Sequence, residues 1–197
     1  METEVPNYYL KVDRKAFYYP EDFLHLLDKL NDKQKFTVLC LINTGARINE
    51  IRHLEKKDID NERNNITLWK TKVKARKGET RPNPRTIAIS SQFAKYLKKN
   101  IGTYKIFSTN RTGEVLKDNS KEIGLANWKD YSAHNLRKTF GTWMLALGVD
   151  GFKLAQHLGH DPEMLRTSYA SPDIFNTKDK DIMRNILGDL PTRLRTI

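Results

Sequence analysis

Four short stretches place charged, imidazole or phenol side chains where a helix or strand would bring them to bear on one point. In Thr44-Gly45-Ala46-Arg47-Ile48-Asn49-Glu50-Ile51 an arginine follows a glycine at the start of a predicted helix. Cations favour the opposite end of a helix, so an anion facing Arg47 would reconcile its placement. Glu50, at i+3, can brace the guanidinium from the same face, and the same spacing fits an ordinary surface Arg–Glu pair. In His134-Asn135-Leu136-Arg137 the i, i+3 relation turns imidazole and guanidinium to one side. Leu136, Phe140 and Trp143 would anchor the other side. No His or carboxylate follows His134 at three or four residues, so metal ligation there has no chelating partner. Leu158-Gly159-His160-Asp161-Pro162 sets His160 before a capped helix, with Tyr169 near that helix's far end. His157 and His160 lack a third zinc ligand nearby, and Tyr169 taken singly reads as a packing tyrosine.

The fourth stretch is a loop with Lys70, Lys72, Lys74, Arg76, Lys77, Arg81 and Arg85 against Glu79 alone. Seven cations on one projecting element repel one another unless an anion sits among them. The loop therefore reads as a solvated charged surface or as a basic finger on a phosphate backbone. Lys70, Lys72 and Lys74 share one side if the preceding strand continues, so one can reach a reaction centre while its neighbours hold a backbone.

These side chains need elements to hold them. Residues 1–19 read as an irregular arm that Tyr8, Tyr9, Phe17, Tyr18 and Tyr19 are candidates to pack down. Pro20 opens a helix at a position that tolerates proline, with Glu21 and Asp22 at its positive end. Phe23, Leu24, Leu26, Leu27 and Leu30 recur at helical spacing. A second helix spans about 33–43 and stops at Thr44-Gly45; a third begins near Arg47 with Ile48, Ile51 and Leu54 on one face. Residues 66–69 read as a strand and 86–89 as its antiparallel partner, a hairpin whose long tip is the basic loop. Helices return at about 91–100, 117–126, 134–147 and 151–157, and Asp161 with Pro162 caps another. A last helix covers about 172–187, and Pro191 begins a tail. The fold class is mainly α with a small antiparallel β-sheet.

Composition narrows the function classes. The chain has 197 residues, 35 Lys+Arg against 24 Asp+Glu, and a net charge of +11. Such a balance favours phosphate-rich or anionic-membrane partners without deciding between them. Hydrophobic content of 38% supports a packed core. The longest apolar-dominated run, residues 36–42, is far short of the ~20 residues that span a bilayer. The amino-terminal residues METEVPNYYL carry acids where a secretory signal has basic residues. One cysteine excludes an internal disulfide, and Cys40 within an apolar run reads as a core residue. No glycine-rich phosphate loop or dinucleotide fingerprint is present, so nucleotide cofactors have no support.

Together and in this order, TGARINEI, the hairpin lysines, AHNLRKTFGTWMLALGVDGFKLAQHLGH and the following tyrosine resemble the tyrosine recombinase (phage integrase) family over about residues 20–175. The resemblance implies a catalytic domain at 20–175, an N-terminal arm at 1–19 and a C-terminal helix and tail at 176–197. The family's separate N-terminal core-binding domain would be absent, making the chain a fragment or a minimal member. It also implies catalytic roles for Arg47, Lys72, His134, Arg137, His160 and Tyr169, with Glu50 supporting. Lys70, Lys74, Arg76, Lys77, Arg81 and Arg85 would bind DNA. The hairpin is longer and more basic than is usual in the family, which leaves Lys70 as the alternative to Lys72, and Arg166 stands where threonine is common. The implied activity is site-specific recombination on double-stranded DNA through a 3′-phosphotyrosyl intermediate. Tyr169 would attack, Lys72 would protonate the leaving 5′-oxygen, and His134 would take the tyrosine proton or hydrogen-bond the phosphate. No metal, ATP or other cofactor is implied. The implied setting is cytoplasmic and nucleoid-associated, in a viral or mobile element, without membrane, as a monomer that forms tetramers on DNA. A tyrosine-type topoisomerase or a non-catalytic basic DNA-binding accessory module would share much of this sequence. RNA binding is the remaining fallback, without a recognisable motif.

Overall fold

The structure, a computed structural model, describes residues 17–69, 84–159 and 174–195. Helix α1 (Pro20–Lys29) starts on the proline, carries Glu21 and Asp22 in its first turn and ends on Lys29, which complements its dipole at both ends. Its inner face, Phe23 and Leu26, is fully buried. Helix α2 (Asp32–Thr44) begins with a capping box in which Asn31 and Gln34 satisfy each other's backbone N–H groups at 3.0 and 3.1 Å. Gly45 closes α2 at φ 59°, in the left-handed region. Helix α3 (Ile48–Ile51) is a single short turn, so Leu54 lies beyond it rather than on its face.

A sheet of three antiparallel strands follows, in the order β1 (Ile59–Asp60), β2 (Asn65–Leu68), β3 (Arg85–Ala88). The sequence reads only the β2–β3 hairpin; β1 is added where Ile59 pairs with Ile66 and Asp60 with Asn65 across a turn through Asn64. In the hairpin Ile66 faces Ile87 and Leu68 faces Arg85. The loop at its tip lies outside the described residues.

Helix α4 (Ser91–Asn100) is capped by Ser90. Helix α5 (Thr109–Glu122) begins well before the expected residue 117, because Ser108 caps a polar first turn that offers no apolar periodicity. Helices α6 (Ala133–Ala146) and α7 (Gly151–Leu158) follow, then α8 (Thr177–Leu187) and α9 (Leu190–Arg195). The expected tail from Pro191 is instead α9. Proline is tolerated in a first helical turn, where its missing N–H has no intrahelical acceptor anyway. Among the described residues no helix is long and apolar enough to cross a membrane.

The centre of the molecule is the pair α2 and α6, with α1, α4, α5, α7 and α8 packed around it. Both central helices are buried on nearly every side, and Trp143, Phe140, Leu136 and Leu41 are wholly enclosed. The arm end is stitched to this centre. Tyr18 is fully buried, donates its backbone N–H to Thr139 Oγ1 at 3.0 Å, and accepts at its carbonyl from Trp143 Nε1 at 3.1 Å. The carboxy-terminal helices pack on the same chain: Met183, Leu187 and Leu190 are fully buried, and Asp189 accepts from Ser91 N at 2.8 Å. Arg193 on α9 donates to the carbonyls of Arg63, Asn64 and Ile89, which ties α9 to the sheet.

Gly45 is where the fold has least tolerance. A Cβ there would lie 2.7 Å from Phe140 Cε1 and 2.8 Å from Leu158 Cδ2, with φ already unfavourable for an L side chain. We expect Gly45→Ala to destabilise the protein by about 3 kcal/mol, the sum of left-handed strain and overpacking. Chemical denaturation of the two proteins measures it.

Candidate active site

The site is assembled from the ends of helices. Residues 44–47 form the turn between α2 and α3, in which Thr44 Oγ1 accepts from Ala46 N at 3.1 Å. This turn delivers Arg47 as the residue that caps α3. Glu50, 1% exposed at its side chain, accepts from Arg47 N at 2.9 Å and from Arg47 Nη1 at 3.2 Å. The pair that the sequence leaves between a brace and a surface contact is therefore a brace. Arg47 stays about one-third exposed while its carboxylate is buried beneath it.

Arg137 is the second fixed point. It is 2% exposed, and its guanidinium donates to Gly45 O at 2.7 Å and to Leu158 O at 2.6 Å. Those carbonyls belong to the carboxy-terminal ends of α2 and α7, where helix dipoles present partial negative charge. One buried cation thus satisfies two helix ends and is held in plane by them. His134 lies one turn earlier on α6, exposed to solvent.

His157 ties α7 to the same turn. Its ring stacks on Phe140 with centroids 5.3 Å apart, and Nε2 lies 2.9 Å from Thr44 O. A carbonyl accepts only, so Nε2 carries a proton. Burial pushes the His157 pKa down to about 4, against the Thr44 hydrogen bond and with help from the charges of Arg85 and Arg137. Burial alone would raise the Glu50 carboxyl, but Arg85, Arg47 and their hydrogen bonds together hold it below the ordinary carboxylate range.

Arg47, Glu50 and Arg137 line one cleft of about 500 Å³ with His134, His53 and Thr109. The structure therefore brings together four of the residues that the sequence singles out. Lys70, Lys72, Lys74, Arg76, Lys77, Arg81, His160 and Tyr169 lie outside the described residues. Arg85 requires a correction. It is grouped in sequence with the loop cations, yet it sits in β3 and turns inward, 18% exposed, with Nη2 2.7 Å from Glu50 Oε2. Strand alternation carried the signal, because Arg85 shares its face with the buried Ile87 and Ile89. His157 was also legible as a buried position: it follows Leu154 by one turn and flanks Leu158 on the apolar face of α7.

A larger cavity of about 870 Å³ lies beside Trp69 and Tyr104 and shares His53 with the cleft, but it holds none of the four residues above. Among the described residues no group of three or more His, Cys, Asp or Glu is placed to hold a metal ion. Chemically, two guanidiniums at fixed spacing with an imidazole beside them suit a multiply charged oxyanion such as a phosphoryl group.

The neutral His157 gives a pH signature. Its folded pKa of about 4 lies below the ordinary 6.5, so its contribution is complete above pH 6.5 and drains away as pH falls toward 4. The full loss is about 3 kcal/mol. We expect His157→Gln, followed by thermal unfolding across this range, to flatten the acid limb relative to wild type.

The sequence model of the phage integrase family matches residues 17–173. Tyrosine recombinase XerA of Saccharolobus solfataricus is 33% identical over 130 residues, 65% of this chain and 42% of the relative. The chain thus spans less than half the length of that relative. The catalytic domain of bacteriophage HP1 integrase is similar at a TM-score of 0.57 and 25% identity, over 78% of this chain and 86% of that one. The Tn1549 transposon integrase, solved in complex with transposon right-end DNA, has a TM-score of 0.63 at 20% identity, over 91% of this chain and 65% of its own, and shares the fold. With the family matched across most of its length and the fold held in common, the chain belongs to the phage integrase family and has the mainly helical fold, with a small antiparallel sheet, of a tyrosine recombinase catalytic domain.

Proposed function

We propose that the protein is a site-specific DNA recombinase that cuts and rejoins strands through Tyr169, within a catalytic domain at residues 20–175. The observation that carries this reading is the convergence of Arg47 with His134 and Arg137, a pair remote from it in sequence, on a single cleft with Glu50 beneath Arg47. The phenolate oxygen of Tyr169 attacks phosphorus, the bond to the 5′-oxygen breaks, and Lys72 supplies the proton that the leaving oxygen takes up. The 3′-phosphotyrosyl ester keeps the energy of the broken bond, so a second 5′-hydroxyl reverses the step without ATP.

The arginines act where charge develops. Attack adds negative charge to the non-bridging oxygens, and fork-shaped donors stabilise it better in the transition state than in the ground state. Losing one such donor costs about 3 kcal/mol of barrier. A free tyrosine, with a pKa of about 10, is a poor nucleophile at neutral pH, and neighbouring cations favour its phenolate. The proton of Tyr169 passes to His134, or it leaves to water while His134 joins His160 in donating to the same oxygens. Lys70, Lys74, Arg76, Lys77 and Arg81 track the flanking backbone of double-stranded DNA. The relatives' names and the DNA complex of the transposon integrase support DNA as the partner. A monomer that assembles as a tetramer on paired sites, in the cytoplasm at the nucleoid, fits the same reading.

Incubation with nicked suicide duplexes bearing candidate sites tests it. Wild type is expected to form a covalent adduct that maps to the peptide containing Tyr169, and Tyr169→Phe to bind DNA without linkage. An adduct trapped in the mutant would remove Tyr169 from the role. Relaxation of any supercoiled plasmid without site preference would instead indicate a topoisomerase. Because the guanidiniums supply the stabilising charge, EDTA is expected to leave the cleavage rate unchanged, and loss of activity with the chelator would overturn a metal-independent scheme.

A further inference from the structure

The catalytic scheme accounts for Arg47, His134 and Arg137 but leaves Arg85 as one more cation near the cleft. Its surroundings say more. Arg85 is the first residue of β3 and pairs across the hairpin with Leu68, so it sits at the rung where the basic loop begins and ends. From there Nη2 reaches Glu50 Oε2 at 2.7 Å, the same oxygen that accepts from Arg47 N. Nη1 donates to the carbonyl of His157, one residue before the Leu158 carbonyl that holds Arg137. Gly159 lies beside the guanidinium and ends α7 at φ 65°, a backbone conformation that favours glycine.

We infer that Arg85 is a positioning residue for the arginine pair, keeping Glu50 under Arg47 with one nitrogen and the end of α7 beside Arg137 with the other. It never touches the phosphate; it acts through a carboxylate on one partner and through a backbone carbonyl on the other. Three elements distant in sequence, α3, α7 and β3, are thereby locked in one register at a single planar group. A lysine could neutralise Glu50 but could not bridge to the His157 carbonyl with the same rigid fork.

The inference rests on the strand-transfer reading, and its test separates the two. Adduct formation is followed for wild type, Arg85→Gln and Arg85→Lys on two suicide duplexes built on the sequence that wild type cleaves. One duplex carries the ordinary scissile phosphodiester; the other carries a methylphosphonate there, which replaces a charged non-bridging oxygen by methyl. Misplacing a clamp by about an ångström costs on the order of a hundredfold, and we expect that loss of rate for Arg85→Gln on the phosphodiester, with DNA affinity kept. On the methylphosphonate, where less charge needs stabilising, the loss shrinks markedly, and Arg85→Lys falls between wild type and Arg85→Gln on the phosphodiester. Equal losses on both duplexes would overturn the inference, since a merely folding role lowers both alike. A second measurement needs no DNA. In thermal unfolding of wild type, Glu50→Gln, Arg85→Gln and the double variant, the double loss should be clearly less than the sum of the single losses. Additive losses would overturn the inference for Arg85, whereas a wild-type chain that forms no adduct would count against strand transfer instead.

Discussion

The architecture of the site depends on how one buried charge, the Arg137 guanidinium, is satisfied. A buried cation is costly unless it is hydrogen-bonded and compensated. Here the compensation comes from Gly45 O and Leu158 O, the closing carbonyls of α2 and α7. Each helix end would otherwise leave carbonyls without donor partners in the interior. The arginine and the two helices therefore solve each other's problem, and the angle between α2, α6 and α7 is fixed at the same stroke. His157 extends this by meeting Thr44 O, which adds a second link between α7 and α2. Burial keeps its ring neutral, with the charges of Arg85 and Arg137 adding to the effect.

Glu50 is the complementary constraint. Its buried carboxylate is held by Arg85 on one side and by the backbone and side chain of Arg47 on the other. Three guanidiniums thus converge on a region in which a single carboxylate is the paired anion among the described ion pairs. Arg47 is the member left about one-third exposed. An incoming anion meets a cation whose position is already set, so little ordering cost remains at the moment of binding.

Much of this was legible in the sequence, for physical reasons that can be named. Local rules place Arg47 with Glu50 and His134 with Arg137, because i, i+3 neighbours share a face whatever the rest of the chain does. Caps are equally local: Pro20 and Gly45 mark their helix ends, although the Asn31–Gln34 capping box starts α2 at Asp32, ahead of the expected residue 33. What escaped were features decided by tertiary contacts. β1 exists only because two residues meet β2, and α9 only because Arg193 and Leu190 find the sheet and the core. The start of α5 is set by Ser108 rather than by any apolar rhythm. Arg85 misled for a different reason, since its neighbours in sequence are loop cations while its neighbours in space are Glu50 and the end of α7.

The two carbonyls that hold Arg137 matter for any anion in the cleft. They grip its guanidinium from two helix ends, so the backbone, rather than a mobile side chain, sets where the cation stands. Arg137 lines a cleft of about 500 Å³ together with Arg47 and Glu50. Glu50 serves there as a strut between Arg47 and Arg85, holding the exposed guanidinium and the end of the strand with one carboxylate. The guanidiniums are therefore set in place by the fold, and the cost of ordering them is borne in folding rather than when an anion binds.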